Sequence, residues 1–67
     1  MAEFICKVRE HRMIIGISQE ELANMVGVRR ETISRLEKGQ YNPSLKLAMD
    51  VAKILGKTVE ELFEFPE

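Results

Sequence analysis

The stretch Ser18-Gln-Glu-Glu-Leu-Ala-Asn-Met-Val-Gly27-Val-Arg-Arg-Glu-Thr-Ile-Ser-Arg-Leu-Glu-Lys-Gly39 decides how this chain folds. Ser18 is a helix N-cap, and Glu21, three residues on, completes a capping box that satisfies two otherwise unpaired backbone N–H groups. Ile17 before the cap and Leu22 at the fourth helical position can form a hydrophobic staple. This spacing predicts a helix over about Gln19 to Met25, with Leu22, Ala23 and Val26 inward. Gly27 then supplies the left-handed turn that a residue with a Cβ adopts poorly. A further helix is predicted from about Arg30 to Lys38, with Ile33 and Leu36 inward and Gly39 ending it. Ala23 lies four residues before Gly27, and Ile33 six after it. That small side chain is needed where the two helices cross closely.

Helical spacing continues on both sides of this stretch. Upstream, Ile5, Val8, Arg12 and Ile15 fall on one stripe, predicting a helix over about Phe4 to Ile15 that Gly16 terminates. Downstream, Gln40-Tyr41-Asn42-Pro43 reads as a loop, because the residue before a proline avoids helical geometry. Ser44 then caps a helix over about Leu45 to Leu55, with Leu45, Ala48, Val51, Ala52 and Leu55 as its inner stripe and Gly56 at its end. Thr58 and Glu61 form a second capping box, for a short helix over about Val59 to Phe63. Alternating apolar and polar runs are absent, so five helices and no strands are expected: an all-α chain forming one domain over residues 1–67.

Composition bounds the function. A domain of 67 residues buries only about 60% of the surface that its unfolded chain exposes. Cys6 is the single cysteine, so no disulfide within the chain can supplement that core, and a lone thiol suits a reducing compartment. No secretory signal is read, and no apolar run approaches the roughly 18 residues of a membrane span. A soluble, cytoplasmic protein without membrane contact is expected. Ten Lys and Arg stand against eleven Asp and Glu, a net charge of −1. The positive charge is unevenly placed: Arg29, Arg30, Arg35 and Lys38 fall within ten residues. A compact basic face can bind phosphates whatever the total charge.

Two short helices across a glycine-centred turn are the signature of the helix-turn-helix motif. With Ile33 and Leu36 turned inward, the second helix leaves free a face carrying Arg30, Glu31, Ser34 and Arg35. Several runs together resemble the phage-repressor and Cro-type helix-turn-helix family, the Xre-like small transcriptional regulators. They are Ser18-Gln-Glu-Glu-Leu-Ala23, Gly27-Val28, Glu31-Thr-Ile-Ser-Arg-Leu-Glu-Lys-Gly39, Tyr41-Asn-Pro-Ser-Leu45 and Val59-Glu-Glu-Leu-Phe63. The resemblance covers nearly the whole chain and implies a compact five-helix, lambda-repressor-like DNA-binding domain with its motif in helices 2 and 3.

That resemblance implies double-stranded DNA as the partner, with helix 3 as recognition helix in the major groove. Arg29, Arg30, Glu31, Thr32, Ser34 and Arg35 are then the base-contacting candidates. Arg30 and Arg35 suit bidentate hydrogen bonding to guanine, Glu31 can accept from cytosine, and Thr32 can touch a thymine methyl or a phosphate. Glu31 can instead pair with Arg35 at i+4. The resemblance places Gln19 on a backbone phosphate, and Lys38, Gln40, Tyr41 and Asn42 on a second. It also pairs Arg12 with Glu37 in a partly buried structural salt bridge. Arg29 departs from the family pattern, which often has a capping Ser or Thr there. The implied activity is sequence-specific transcription regulation, as a repressor, by a homodimer on an inverted repeat. Region 57–67, and within it Phe63 and Phe65, is the expected dimer contact, with Phe63 partly in its own core.

The remaining residues carry blander readings. His11 is read as a solvated surface side chain and Cys6 as a small, partly buried one, with a redox-sensing thiol as the alternative. No metal site, cofactor or small-molecule ligand is expected. Ile14 falls off the core stripe, and Met13, Met25, Leu47 and Met49 are ambiguous between exposure and subunit contact. No nucleophile–base pair or phosphate-binding glycine loop is present, so an enzyme is not expected. The competing function is an antitoxin or bridging interaction module that docks through the acidic Glu60, Glu61, Glu64 and Glu67.

Overall fold

The computed structural model describes residues 4–66. Five helices and two very short strands follow one another: β1 (Ile5–Cys6), α1 (Val8–Ile15), α2 (Gln19–Val26), α3 (Arg30–Glu37), α4 (Leu45–Leu55), α5 (Val59–Leu62) and β2 (Phe63–Glu64). The capping residues act as the sequence predicts. Ser18 Oγ accepts from the Glu21 N–H at 3.0 Å, while Glu21 Oε1 accepts from the Ser18 N–H at 2.8 Å. Thr58 and Glu61 repeat this arrangement at the start of α5, and Ser44 Oγ accepts from the Leu47 N–H. Gly27 closes α2 at φ 75°, in the left-handed region, so the turn into α3 needs a residue without a Cβ.

The core is a single cluster drawn from every helix. Val8, Leu22, Ala23, Ile33, Leu36, Leu47, Ala48, Val51, Ala52, Leu55 and Leu62 meet at its centre, closed at one end by Phe4 and Phe63. Helix α2 packs chiefly on α3, and α4 lies against both α1 and α2. Ala23 is buried at the α2 side of that crossing. The two helices of the motif therefore form one rigid pair on a platform made by α1 and α4.

The all-α expectation needs a correction. Residues Ile5 and Cys6 are not the first turn of α1. They form a strand antiparallel to Phe63–Glu64, with Ile5 opposite Glu64 and Cys6 opposite Phe63. The Lys7 N–H donates to the Leu62 carbonyl at 2.8 Å, and Lys7 Nζ lies 3.0 Å from Glu64 Oε2. Phe4 explains the departure from helix. Its ring is buried, stacked on Phe65 at a centroid distance of 4.7 Å and tilted against Phe63 at 6.1 Å. An extended backbone reaches that site, and burying a Phe side chain is worth roughly 1.5–3 kcal/mol. Phe63 leaves the helix for the same ribbon, so α5 ends one residue earlier than predicted.

Three inward assignments also change. Ile5 and Ile15 are largely exposed, leaving Val8 and Arg12 as the buried residues of α1. Leu45 is 74% exposed at the first position of α4, whereas Leu47 is buried in its place. The inner stripe of α4 is thus Leu47, Ala48, Val51, Ala52 and Leu55. Leu45 lies in the first turn, at the margin of that stripe.

Removing the aromatic plug tests the ribbon. Phe4→Ala should cost about 3–5 kcal/mol, the usual range for a buried Phe, and urea denaturation should show a large fall in midpoint. A loss below about 1 kcal/mol would mean that the strand pairing does not depend on this ring.

Candidate nucleic-acid interface

The site is built from α3 upward. Its inner side is fixed by Ile33 and Leu36, both fully buried. Its end is held by hydrogen bonds from the Gly39 N–H to the Leu36 carbonyl and from the Gln40 N–H to the Arg35 carbonyl. The opposite side faces outward. Arg29, Arg30, Glu31, Arg35 and Lys38 are exposed, and Thr32 and Ser34 are half-buried beside them. Among the described residues, none of these four cations has a carboxylate within salt-bridge distance. Glu31 and Arg35 accordingly do not pair across the i+4 spacing, and both side chains face solvent.

The helix begins without a side-chain cap. Arg29 takes the N-cap position with extended backbone (φ −80°, ψ 152°), and no side-chain oxygen accepts from the first-turn N–H groups. A Ser or Thr there would contribute about 1 kcal/mol. A cation at a helix N-terminus also opposes the macrodipole. The start of the exposed helix thus forgoes local stability and gains a second guanidinium beside Arg30.

Glu37 is on the inner side of the same helix and is fully engaged. Arg12 Nε donates to Glu37 Oε2 at 2.8 Å and Arg12 Nη2 to Glu37 Oε1 at 3.3 Å. Arg12 Nη1 donates to the Ile17 carbonyl at 2.8 Å, where the chain turns from α1 into α2. The side chains of Arg12 and Glu37 are only 10% and 3% exposed. Gln19, the first residue of α2, donates from Nε2 to Glu37 Oε1 at 3.0 Å. Residue types and spacing give no sign of this last contact, because it depends on how α2 and α3 cross. No buried side-chain nitrogen or oxygen lacks a partner among the described residues.

The loop candidates lie just beyond α3. Gln40, Tyr41 and Asn42 are all exposed there, next to Lys38. At the other end of the molecule, Phe63 is 6% exposed and Phe65 54%. Phe63 belongs to its own chain's core, so Phe65 is the member of that pair with surface to offer a second chain. Burial pushes the Cys6 thiol up to about 11, despite a backbone hydrogen bond at Val8 that acts the other way. Reactive sensor thiols have lowered values instead, so the redox reading of Cys6 loses its support. Among the described residues, no group of three His, Cys, Asp or Glu could hold a metal ion, and no helix is long and apolar enough to cross a membrane.

Two short helices crossing at a glycine turn, the second with an exposed basic face, are the arrangement of a helix-turn-helix protein. Comparison with known proteins agrees. The helix-turn-helix family pattern matches residues 8–62. An HTH-type transcriptional regulator of Archaeoglobus fulgidus is 54% identical over 61 residues, covering 91% of this chain and 87% of that protein. The cryptic phage CTXphi transcriptional repressor RstR of Vibrio cholerae is 37% identical over 59 residues, covering 88% of this chain and 53% of that one. Among solved structures, the restriction-modification controller protein C.AhdI from Aeromonas hydrophila is similar at a TM-score of 0.75 and 39% identity, covering 84% of this chain and 85% of that chain. The N-terminal DNA-binding domain of SinR from Bacillus subtilis is similar at 0.72 and 29% identity, covering 81% of this chain and 80% of that one. The chain belongs to the helix-turn-helix family, a class of DNA-binding transcription regulators.

Two variants probe the local chemistry. Arg29→Ser should stabilise the fold by about 1 kcal/mol, raising the melting temperature by roughly 4–8 °C for a domain of this size, while DNA affinity falls. An unchanged affinity would remove Arg29 from the interface. In the unmodified protein, Cys6 should resist alkylation at pH 8 and react readily only once unfolded. Because its folded value is raised from 9.0 to about 11, ionisation favours the unfolded chain, and stability should decline as pH rises through that window.

Proposed function

We propose that the protein binds a specific duplex operator through α3 and acts as a repressor, two copies occupying an inverted repeat in the cytoplasm. The observation that carries this reading is the exposed set Arg29, Arg30, Arg35 and Lys38 on and flanking α3, none of which has a carboxylate partner among the described residues. Elsewhere, Lys7, Arg12 and Lys46 are each paired with a carboxylate, while Arg9, Lys53 and Lys57 are spread along the chain rather than gathered within ten residues. Arg30 and Arg35 read guanine by bidentate hydrogen bonds, Glu31 selects cytosine, and Arg29, Thr32 and Ser34 complete the base-facing set. Gln19 on one side and Lys38, Gln40, Tyr41 and Asn42 on the other hold the flanking phosphates and set the register.

A single helix spans only a few base pairs. Two copies with recognition helices about 34 Å apart would enter successive major grooves on one side of the duplex. Region 57–67 supplies the contact between copies in this reading, through Phe65 rather than the interior Phe63. The names of relatives support the regulatory part, since RstR is a phage transcriptional repressor.

Selection from random duplex DNA tests the whole reading. The protein should enrich an inverted repeat with guanine in each half-site and bind it as two chains per duplex. Affinity should fall steeply with salt, as counterion release requires. Arg30→Ala and Arg35→Ala should each lose about 1–3 kcal/mol and relax the preference at one position of the half-site. Failure to enrich any sequence, with only weak and salt-insensitive binding, would sink the proposal.

A further inference from the structure

Arg12 holds Glu37 Oε2 by its shorter hydrogen bond, at 2.8 Å, and Glu37 Oε1 by a longer one, at 3.3 Å. Gln19 Nε2 takes the same Oε1 oxygen at 3.0 Å. The Gln19 side chain turns about each of its single bonds, and an unrestrained amide of that length samples many rotamers in water. Here one amide hydrogen is committed to a carboxylate that is itself immobilised, because Arg12 is anchored to the Ile17 carbonyl at 2.8 Å. The bond to Glu37 narrows the rotamers open to the half-buried side chain, and the second amide hydrogen meets no acceptor among the described residues.

We propose that Glu37 is a positioning residue for DNA binding: from the inner side of α3 it holds the Gln19 amide in the orientation that meets a backbone phosphate. This rests on the assignment of Gln19 to a phosphate above. The backbone around Gln19 is suited to the task. Ser18 Oγ takes the Glu21 N–H, and the Ser18 carbonyl takes that of Leu22. The N–H groups of Gln19 and Glu20 have no partner among the described residues, and they point out at the start of α2 beside the amide. Glu37 never touches the nucleic acid. It acts by removing the ordering penalty that a free side chain meets on binding, which corresponds to roughly two- to tenfold in affinity per half-site.

The same carboxylate thus ties the phosphate-holding helix to the base-reading helix. Arg30 and Arg35 occupy the outward side of α3, and Glu37 lies one turn after Ile33 on the inward side. Loss of the clamp therefore weakens binding to every sequence alike and leaves base preference intact.

Glu37→Leu alone strands Arg12 in the interior and is unsuitable as a probe. The paired variant Arg12→Met/Glu37→Leu removes both charges with similar volume, a type of replacement that buried ion pairs often tolerate. Gln19→Ala is then compared in both backgrounds by duplex titration. With the clamp intact, Gln19→Ala should weaken binding by two- to tenfold more per half-site than it does in the paired variant, and the ratio of specific to nonspecific affinity should stay constant. Equal losses in the two backgrounds would overturn the positioning role. No loss from Gln19→Ala in the unmodified background would instead refute the phosphate assignment. A measurement on the unmodified protein covers the case in which the paired variant does not fold. The Gln19 side-chain amide should show an order parameter close to the rigid-backbone value of about 0.85, and a value below about 0.6 would overturn the clamp.

Discussion

The contact on which the rest depends is the buried carboxylate of Glu37, shared between Arg12 and Gln19. It joins α1, α2 and α3 at one point on the inner side of α3. Two charges taken out of water incur a desolvation cost that their attraction offsets only with good geometry and with their other hydrogen-bonding positions filled. Both conditions hold here, since Arg12 also reaches the Ile17 carbonyl and Glu37 accepts from Gln19. An apolar trio could fill the same volume. It would not orient polar side chains, whereas hydrogen bonds from α1 and α2 to the two oxygens of an α3 carboxylate do.

Burial of Ile33 and Leu36 turns the other side of α3 outward, and so a slightly acidic protein presents a basic face. Exposed charges separated by more than a Debye length, about 8–10 Å in ordinary buffers, scarcely sense one another. What matters at the groove is the local set, and Arg29, Arg30, Arg35 and Lys38 lie within three turns of chain. The acidic residues Glu60, Glu61 and Glu64 lie on and after α5. Glu37 adds no free negative charge to the reading face, because it is neutralised from the inner side. The absence of a cap at Arg29 belongs to the same pattern, in which the helix start carries a cation where local stability favours a hydroxyl.

Much of the fold was legible because its signals are local. A capping box needs only residues three apart, and a left-handed turn only its glycine, so the bounds of α2 and α4 followed closely from the chain. Errors arose where the deciding partner was remote. Phe4, Ile5 and Cys6 continue the apolar rhythm of α1 well enough to read as its first turn, yet Ile5 and Cys6 pair with Glu64 and Phe63 from the far end of the chain, and Phe4 packs on Phe63 and Phe65. Leu45 fits the stripe of α4 by spacing, but only packing reveals that Leu47 takes the buried place. The interior position of Phe63 is a consequence of the same ribbon, which turns its ring toward Phe4.

The amino-acid sequence by itself determined the motif, its glycine turn and the outward basic side of α3, because within that short helix the spacing of Ile33 and Leu36 marks the inner side. Sequence also paired Arg12 with Glu37, through resemblance to a family rather than through spacing. Tertiary structure decided which of those charges are free and which are spoken for. It left Arg30 and Arg35 without a carboxylate partner among the described residues, brought the Gln19 amide onto Glu37 and closed the core with a two-stranded ribbon. Those outcomes depend on the crossing of helices and the meeting of distant segments. Their geometry is set by the packing of the whole core, which no short window of residues contains.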